Sequence, residues 1–440
     1  MAGHAFSNFV KRPTFVASDK ALARYVARPV LRFIDTEVAS GILLLIATAA
    51  ALIWANAGDS YNEFWHTEML LEVGSWTAEM SLAHFVNDAL MALFFFVVGL
   101  EIKRELVVGR LANPRVAALP GIAALGGMVV PALLFFLVNL GGDGVPGWGI
   151  PMATDIAFAL GVVALLGSRV SPELKLFLLT LAIVDDIGAI AVIAIFYSSG
   201  LDFAWLALAI AGLALTRALQ VARVWALPVY VIVGVFVWYA TWQSGVHATI
   251  AGVALGLMTP ALPLLTREEA EDIADDLPTD PSAEEIRQAA FLLRNEVGIC
   301  QWLETHLHPF TGYVIIPIFA LANAGILISG DAISDAASSR VTIGIIVGLV
   351  LGKPIGIMLF TFFATKLGFE LPPGVRWAQF LGMGLAAGIG FTVSIFISGL
   401  AYTDSAVLHF VPEAKIGILV ASAIAAIAAL LALRASSDPA

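Results

Sequence analysis

The stretch Leu176-Phe-Leu-Leu-Thr-Leu-Ala-Ile-Val-Asp185-Asp186-Ile-Gly-Ala-Ile-Ala-Val-Ile-Ala-Ile-Phe-Tyr197 decides what kind of protein this is. Its apolar run has the length an α-helix needs to cross about 30 Å of hydrocarbon. Two adjacent aspartates stand in its middle. A charged group at that depth costs about 2.5–3.5 kcal/mol on the insertion scale, so it must face the protein interior or an aqueous cavity. The default reading of such groups is an ion or proton pathway. Ala182, Asp185, Asp186 and Ala189 follow the i, i+3, i+4, i+7 spacing and share one helical face with small neighbours. Adjacent carboxylates repel and titrate as a pair, so the two compete for protons.

The rest of the chain repeats the long apolar run. Of its 440 residues 60% are hydrophobic and 13% charged, against about 25% charged in a soluble domain. With a mean hydropathy of +0.91, a string of soluble domains and a disordered chain are both excluded. Unbroken runs of about 20 apolar residues also exclude the alternating strands of a membrane barrel. The fold class is therefore an all-α polytopic membrane protein. Twelve spans are expected, near 38–57, 85–107, 116–138, 150–167, 176–197, 204–216, 224–243, 245–260, 309–328, 341–363, 377–400 and 416–433.

Charge orients them. Twenty of the 23 Lys and Arg fall on the side of the N-terminus, beginning with Lys11, Arg12, Lys20, Arg24, Arg28 and Arg32. Only Arg340 and Lys415 lie opposite, and Lys353 lies within span 10. By the positive-inside rule the N-terminus is cytoplasmic, and an even number of spans returns the C-terminus to the same side. The expected layout is a cytoplasmic segment 1–37, a membrane domain 38–434 and a tail 435–440. Trp54, Trp148, Trp205, Trp225, Trp242 and Trp377 fall at span ends, where amphipathic rings favour the interface. The first long apolar run begins at Val38, so no cleaved leader is expected. A net charge of −11 and a pI of 5.1 argue against nucleic acid as a partner. The single cysteine, Cys300, cannot form an intrachain disulfide.

Two connections stand out. The outer loop 58–84 holds five acids and no Lys or Arg, and its Glu-Met-Leu-Leu-Glu-Val-Gly-Ser-Trp stretch reads as a hairpin turning at Gly74-Ser75. The inner loop 261–308 is acid-dense between Glu268 and Glu285 and reads as a solvated, partly helical excursion.

Asp88, Asp155 and Lys353 join Asp185 and Asp186 as ionisable groups in the hydrocarbon region. Pro151 and Asp155 in span 4 suggest a helix that starts or breaks inside the membrane. Thr154 and Asp155 there offer either the oxygen ligands of a hard cation or a plain N-cap. Gly382, Gly384, Gly388 and Gly390 mark span 11 as a second interrupted helix. Spans 4 and 11 are central in the triplets 3–5 and 10–12, which run in opposite directions. Interrupted segments at matching places in two inverted halves point to a transporter's substrate site. Asp155 can offset the positive half-helix ends and Lys353 the negative ones. Span 10 carries a glycine every fourth residue from Gly344 to Gly356, a close-packing face that Lys353-Pro354 interrupts. Asp88, near the outer end of span 2, reads equally as a helix-start cap, a water-access point or part of an ion path. His247 and His308 are structural or titrate near neutral pH.

These stretches in order resemble the bacterial Na+/H+ antiporters of the NhaA family. The resemblance is carried by Gly99-Leu-Glu-Ile-Lys-Arg-Glu-Leu106, Ala153-Thr-Asp-Ile-Ala-Phe-Ala159 and Ala182-Ile-Val-Asp-Asp-Ile-Gly188. Ser244-Gly-Val-His-Ala-Thr249, Gly352-Lys-Pro-Ile-Gly356 and Gly388-Ile-Gly-Phe-Thr-Val-Ser394 complete it. The resemblance implies inverted repeats with spans 4 and 11 unwound and crossing near the midplane. It implies Asp186 as the main cation-binding carboxylate, Asp185 as its partner able to pair with Lys353, and Asp155 and Thr154 assisting at the break. Na+ or Li+ would leave the cytoplasm while protons enter, electrogenically and with activity rising at alkaline pH, and no cofactor would be needed. Glu101, Arg104, Glu304 and His308 match cytoplasmic positions linked to the pH response, and His247 another. The 58–84 hairpin matches one that joins two protomers, implying a homodimer in the cytoplasmic membrane. Two departures bear on the pH set-point: the 261–308 loop is long and acidic, and Thr305 follows Glu304 where a histidine is usual.

Two other classes compete. An acid-lined cation channel uses similar residues. An intramembrane aspartyl protease needs carboxylates facing one another across a peptide, whereas Asp185 and Asp186 lie about 100° apart on one helix.

Overall fold

The computed structural model describes residues 39–73, 76–198, 200–224, 226–263, 268–269, 272, 278, 282–293 and 297–436. The N-terminal segment 1–37 with its six cations, the turn Gly74-Ser75, Trp225, much of the acidic run in 261–308 and residues 437–440 lie outside them.

The described residues are helical, with one two-stranded hairpin among them. Among the described residues eight helices are long and apolar enough to cross a membrane: α2 (Leu82–Val107), α3 (Pro114–Val138), α4 (Val145–Ala164), α5 (Pro172–Phe196), α6 (Phe203–Val221), α9 (Ile299–Asn323), α10 (Arg340–Lys366) and α12 (Phe410–Ser436). A bent pair, Trp377–Ala387 and Phe391–Ala401, turns by 46° and forms α11. Three shorter apolar helices, α1 (Ala39–Ala55), α7 (Leu227–Gln243) and α8 (Thr249–Met258), stand where spans 1, 7 and 8 were expected. With 10 residues α8 is only about 15 Å long, half the hydrocarbon thickness.

Local chemistry explains the helix starts. Asn113 caps α3 and Ser171 caps α5, each followed by a proline at the first helical position. The hairpin pairs β1 (Glu68–Val73) with β2 (Trp76–Ser81) antiparallel, from Glu68 opposite Ser81 to Val73 opposite Trp76.

Several sequence expectations are corrected here. Asp88 does not start a helix, because α2 begins at Leu82 with Ser81 as its cap, and Asp88 sits in a π turn, Val86–Leu90. Helix α9 starts at Ile299, ten residues before the expected span, so Glu304 and His308 ride on it rather than on a loop. Lys353-Pro354 does not interrupt α10. A π turn over Val347–Gly352 accommodates the proline by removing the need for its amide, and the helix continues to Lys366. In α4 the break follows Pro151, at residues 153–155.

The helices sort into two groups. In the first, α3 packs on α5 and, correspondingly, α10 on α12, while α3 and α10 lie against each other. Gly126 of α3 and Gly356 of α10 face one another there, and a Cβ on either would collide with the other's carbonyl oxygen. This reciprocity is what two inverted triplets predict, and the glycine face of α10 seats on α3 as its spacing implied. In the second group α1 packs on α9, and α2 packs on α8 and α9. Gly252 and Gly256 of α8 admit the α2 backbone at Ala92 and Phe96. The groups meet where α1 touches α4, α2 touches α5 and α9 touches α11.

The site at the helix crossing

The two breaks meet. The Asp155 amide donates to Ile389 O of α11 at 2.7 Å, and Thr154 Oγ1 donates to Ala387 O at 2.8 Å. Unwound backbone inside a membrane needs such partners, because no water is present to satisfy it.

Asp155 does more than cap its own helix. Its Oδ1 accepts from Phe158 N at 3.0 Å, which caps the second half of α4. Its Oδ2 accepts from Thr392 N at 3.1 Å and Thr392 Oγ1 at 2.6 Å, which caps the second half of α11. One buried carboxylate thus serves two helix N-termini, where the backbone carries partial positive charge. Lys353 serves the opposite sign. It is 0% exposed, donates to Met152 O at the end of the first half of α4, and pairs with Asp185 Oδ2 at 2.5 Å.

Asp185 Oδ2 also faces Thr154 Oγ1 at 2.7 Å. Its other oxygen, Oδ1, is buried with no hydrogen-bond partner among the described residues. Asp186, one residue on, is 8% exposed, and no ion pair reaches it among the described residues. The centre therefore contains one anchored carboxylate with a spare oxygen and one unanchored carboxylate, lined by the hydroxyl of Thr154. Oxygen ligands of this kind suit a hard cation.

The remaining candidates divide. Glu101 and Arg104 lie on α2 with Glu304 opposite on α9. Arg104 Nε pairs with Glu304 Oε2 at 2.7 Å, and its Nη1 with Glu105 Oε1 at 3.2 Å. This network is half-exposed. His308 is exposed on α9 and not among these pairs. His247 is half-buried with its ring 6.5 Å from that of Phe396, away from the Arg104 network. Asp88 sits about 20 Å of helix from Glu101, and its carbonyl accepts from Trp238 Nε1.

Sequence reasoning missed Thr392 as a partner of Asp155 and Ser394, whose Oγ donates to Ile150 O at 2.8 Å. The signal was present. Thr392 and Ser394 open a helix half directly after Gly388-Ile-Gly390, as Thr154-Asp155 opens the other. The backbone oxygens of Met152, Ala387 and Ile389 carry no sequence signal, since every residue has one.

A helical membrane protein with inverted triplets and a buried ion pair at the crossing of two broken helices is of the secondary-transporter class. Residues 31–433 match the family described as Na+/H+ antiporter 1. The chain is 47% identical over 416 residues to the Na+/H+ antiporter NhaA of Rhodopirellula baltica, covering 92% of this chain and 93% of that one. It is 44% identical over 416 residues to that of Janthinobacterium sp., covering 91% of each, and 45% identical over 410 residues to that of Wolinella succinogenes, covering 89% and 90%. The chain belongs to the NhaA family of Na+/H+ antiporters.

Proposed function

We propose that this chain is a transporter, not an enzyme, that expels cytoplasmic Na+ or Li+ in exchange for external protons across the bacterial cytoplasmic membrane. One observation carries the reading. Among the described residues no hydrogen bond or ion pair reaches the Asp186 carboxylate, beside an Asp185 held by Lys353. A cation entering between them meets one free carboxylate and displaces Lys353 from the other. Protons and Na+ then compete for the same oxygens, and the site opens to one side at a time as one helix group moves against the other. Thr154 lends its hydroxyl to the cation. Asp155, with both oxygens engaged by backbone and Thr392, acts chiefly in balancing the half-helix charges, together with Lys353. More protons than cations move per cycle, so exchange is electrogenic.

The reading extends to the surroundings. The domain 38–434 crosses the membrane twelve times with both termini cytoplasmic. The Glu101, Arg104, Glu304, His308 and His247 positions set the pH response, and Asp88 lines the outer path. The β1–β2 hairpin joins two copies into a homodimer.

The test uses inside-out vesicles energised to be acid inside, with a fluorescent ΔpH probe and Na+, Li+ or K+ added across a pH series. Na+ and Li+ collapse the gradient and K+ does not, and Asp186→Asn abolishes the response while the protein remains inserted. Exchange at wild-type rate in that variant rejects the assignment.

A further inference from the structure

The half of α4 that leads into the break is a 3-10 helix of eight residues, Val145–Met152. Such helices rarely exceed three or four residues, because their hydrogen bonds are poorer than those of an α-helix. At about 2.0 Å per residue against 1.5 Å, the segment is about 4 Å longer than the same residues in α form. Something must hold it stretched.

Two tyrosines from other helices touch its backbone. Tyr402, at the end of α11 and the largest fully buried side chain described, donates its hydroxyl to Gly144 O at 2.8 Å. Tyr197, at the end of α5, donates to Pro146 O at 2.9 Å and accepts from Gly149 N at 3.1 Å. That hydroxyl therefore bridges the two backbone groups that one 3-10 turn joins. The approach requires glycine: a Cβ on Gly147 would collide with Tyr402 Oη, and one on Gly149 would lie 2.7 Å from Tyr197 Oη. Tyr402 packs on Phe410 at 5.6 Å, and Tyr197 stacks at 6.4 Å on Trp148 of the segment itself.

The other end of the strut is the ion site. Met152 O receives Lys353, and the next three residues include Thr154 and Asp155. We propose that Tyr402 and Tyr197 are positioning residues, whose hydroxyls hold Val145–Met152 in its stretched form and so set where Met152 O, Thr154 and Asp155 stand against Lys353 and Asp185. This rests on the reading of Asp185 and Asp186 as the ion site. Without the hydroxyls the segment relaxes toward the shorter helix and draws its inner end away from the crossing. The tyrosines touch no ion, so their loss weakens cation binding and leaves turnover of the loaded site intact.

The experiment measures Na+-dependent exchange in proteoliposomes over a Na+ series for the wild type, Tyr402→Phe, Tyr197→Phe and Tyr61→Phe, with melting temperatures in detergent alongside. Tyr61 is the matched control. Its hydroxyl also bonds backbone carbonyls, Leu321 O and Ala322 O of α9, on a different element. The expected result is an apparent KM for Na+ raised about three- to ten-fold in Tyr402→Phe and Tyr197→Phe, with maximal rate within about two-fold, as loss of binding geometry alone predicts. Tyr61→Phe leaves KM unchanged. An unshifted KM in both variants overturns the proposal, including when their melting temperatures fall, because the tyrosines are then structural only. An equal rise in Tyr61→Phe overturns it as well. A wild type with no Na+-dependent exchange fails differently, by removing the ion-site reading beneath it.

Discussion

Two ion pairs in this protein use the same chemistry in opposite surroundings. Lys353 and Asp185 meet at 2.5 Å with both side chains 0% exposed, at the crossing of two broken helices. Arg104 and Glu304 meet at 2.7 Å between α2 and α9, with side chains 29% and 15% exposed. The inner pair is held because removing either charge strands the other in a low-dielectric interior, away from water. The outer pair is one arrangement among several that water and neighbouring charges allow, since Glu101 and Glu105 crowd the same cation. Burial makes the first a structural commitment, since neither charge can leave without stranding the other. Partial exposure makes the second adjustable by pH and salt.

The sharpest way to break this contrast is Lys353→Met. Leaving Asp185 buried without its partner costs about 3–5 kcal/mol, read as a large fall in melting temperature in detergent. The double variant Lys353→Met with Asp185→Asn recovers most of the loss, because no lone charge remains. A double variant as unstable as the single one shows that packing, not charge, holds the centre.

Gly356→Val tests the frame around the pair. Its branched side chain collides with Gly126 O, so α3 and α10 separate at a cost of about 1–3 kcal/mol. A melting temperature unchanged from the wild type contradicts the close approach of the two triplets.

Arg104→Gln is the counterpart on the exposed side. It lowers stability by less than about 1 kcal/mol, yet displaces the pH profile of exchange, and raised salt masks the difference. A stability loss matching Lys353→Met erases the distinction between the two pairs.

The smallest effect lies in the inner connection, at the helix Ala283–Leu293. Ser282 N donates to Glu285 Oε2 at 2.7 Å, and Glu285 N donates to Ser282 Oγ at 3.3 Å, a reciprocal cap. These bonds hold the Glu285 carboxyl below its ordinary value of 4.5. A carboxyl depressed in the folded state stabilises at pH above its unfolded pKa, and that contribution fades as pH falls through the depressed value. The protection of amides across 283–293, measured against their intrinsic exchange rates, therefore falls in acid, and Glu285→Gln removes the dependence. A pH-independent protection pattern refutes the cap.

Much of the site was legible before any coordinates. Asp185 and Lys353 stand out by their cost inside apolar runs and Thr154 as a hydroxyl beside Asp155, and both Thr154 and Lys353 contact Asp185. The sequence leaves Asp155 open between ligand and cap, and three contacts to its carboxylate show that it caps two helices at once. The π turns of α2 and α10 were not legible, because a one-residue widening leaves the apolar period almost unchanged. The start of α9 was missed because Glu304 and His308 make its first three turns polar. Hydropathy there reports solvent and not backbone conformation.

By itself the sequence determined that this chain crosses a membrane as helices and which charged residues the membrane would tolerate only at an interior site. Those conclusions follow from transfer free energies, which each residue carries with it. Which oxygen meets which donor was decided only in three dimensions. Asp155 finds Thr392, Lys353 finds Met152 O and Tyr197 finds Pro146 O across separations of 237, 201 and 51 residues. Backbone carbonyls look alike in every sequence, so only the packing of the two broken helices selects the ones that build the site.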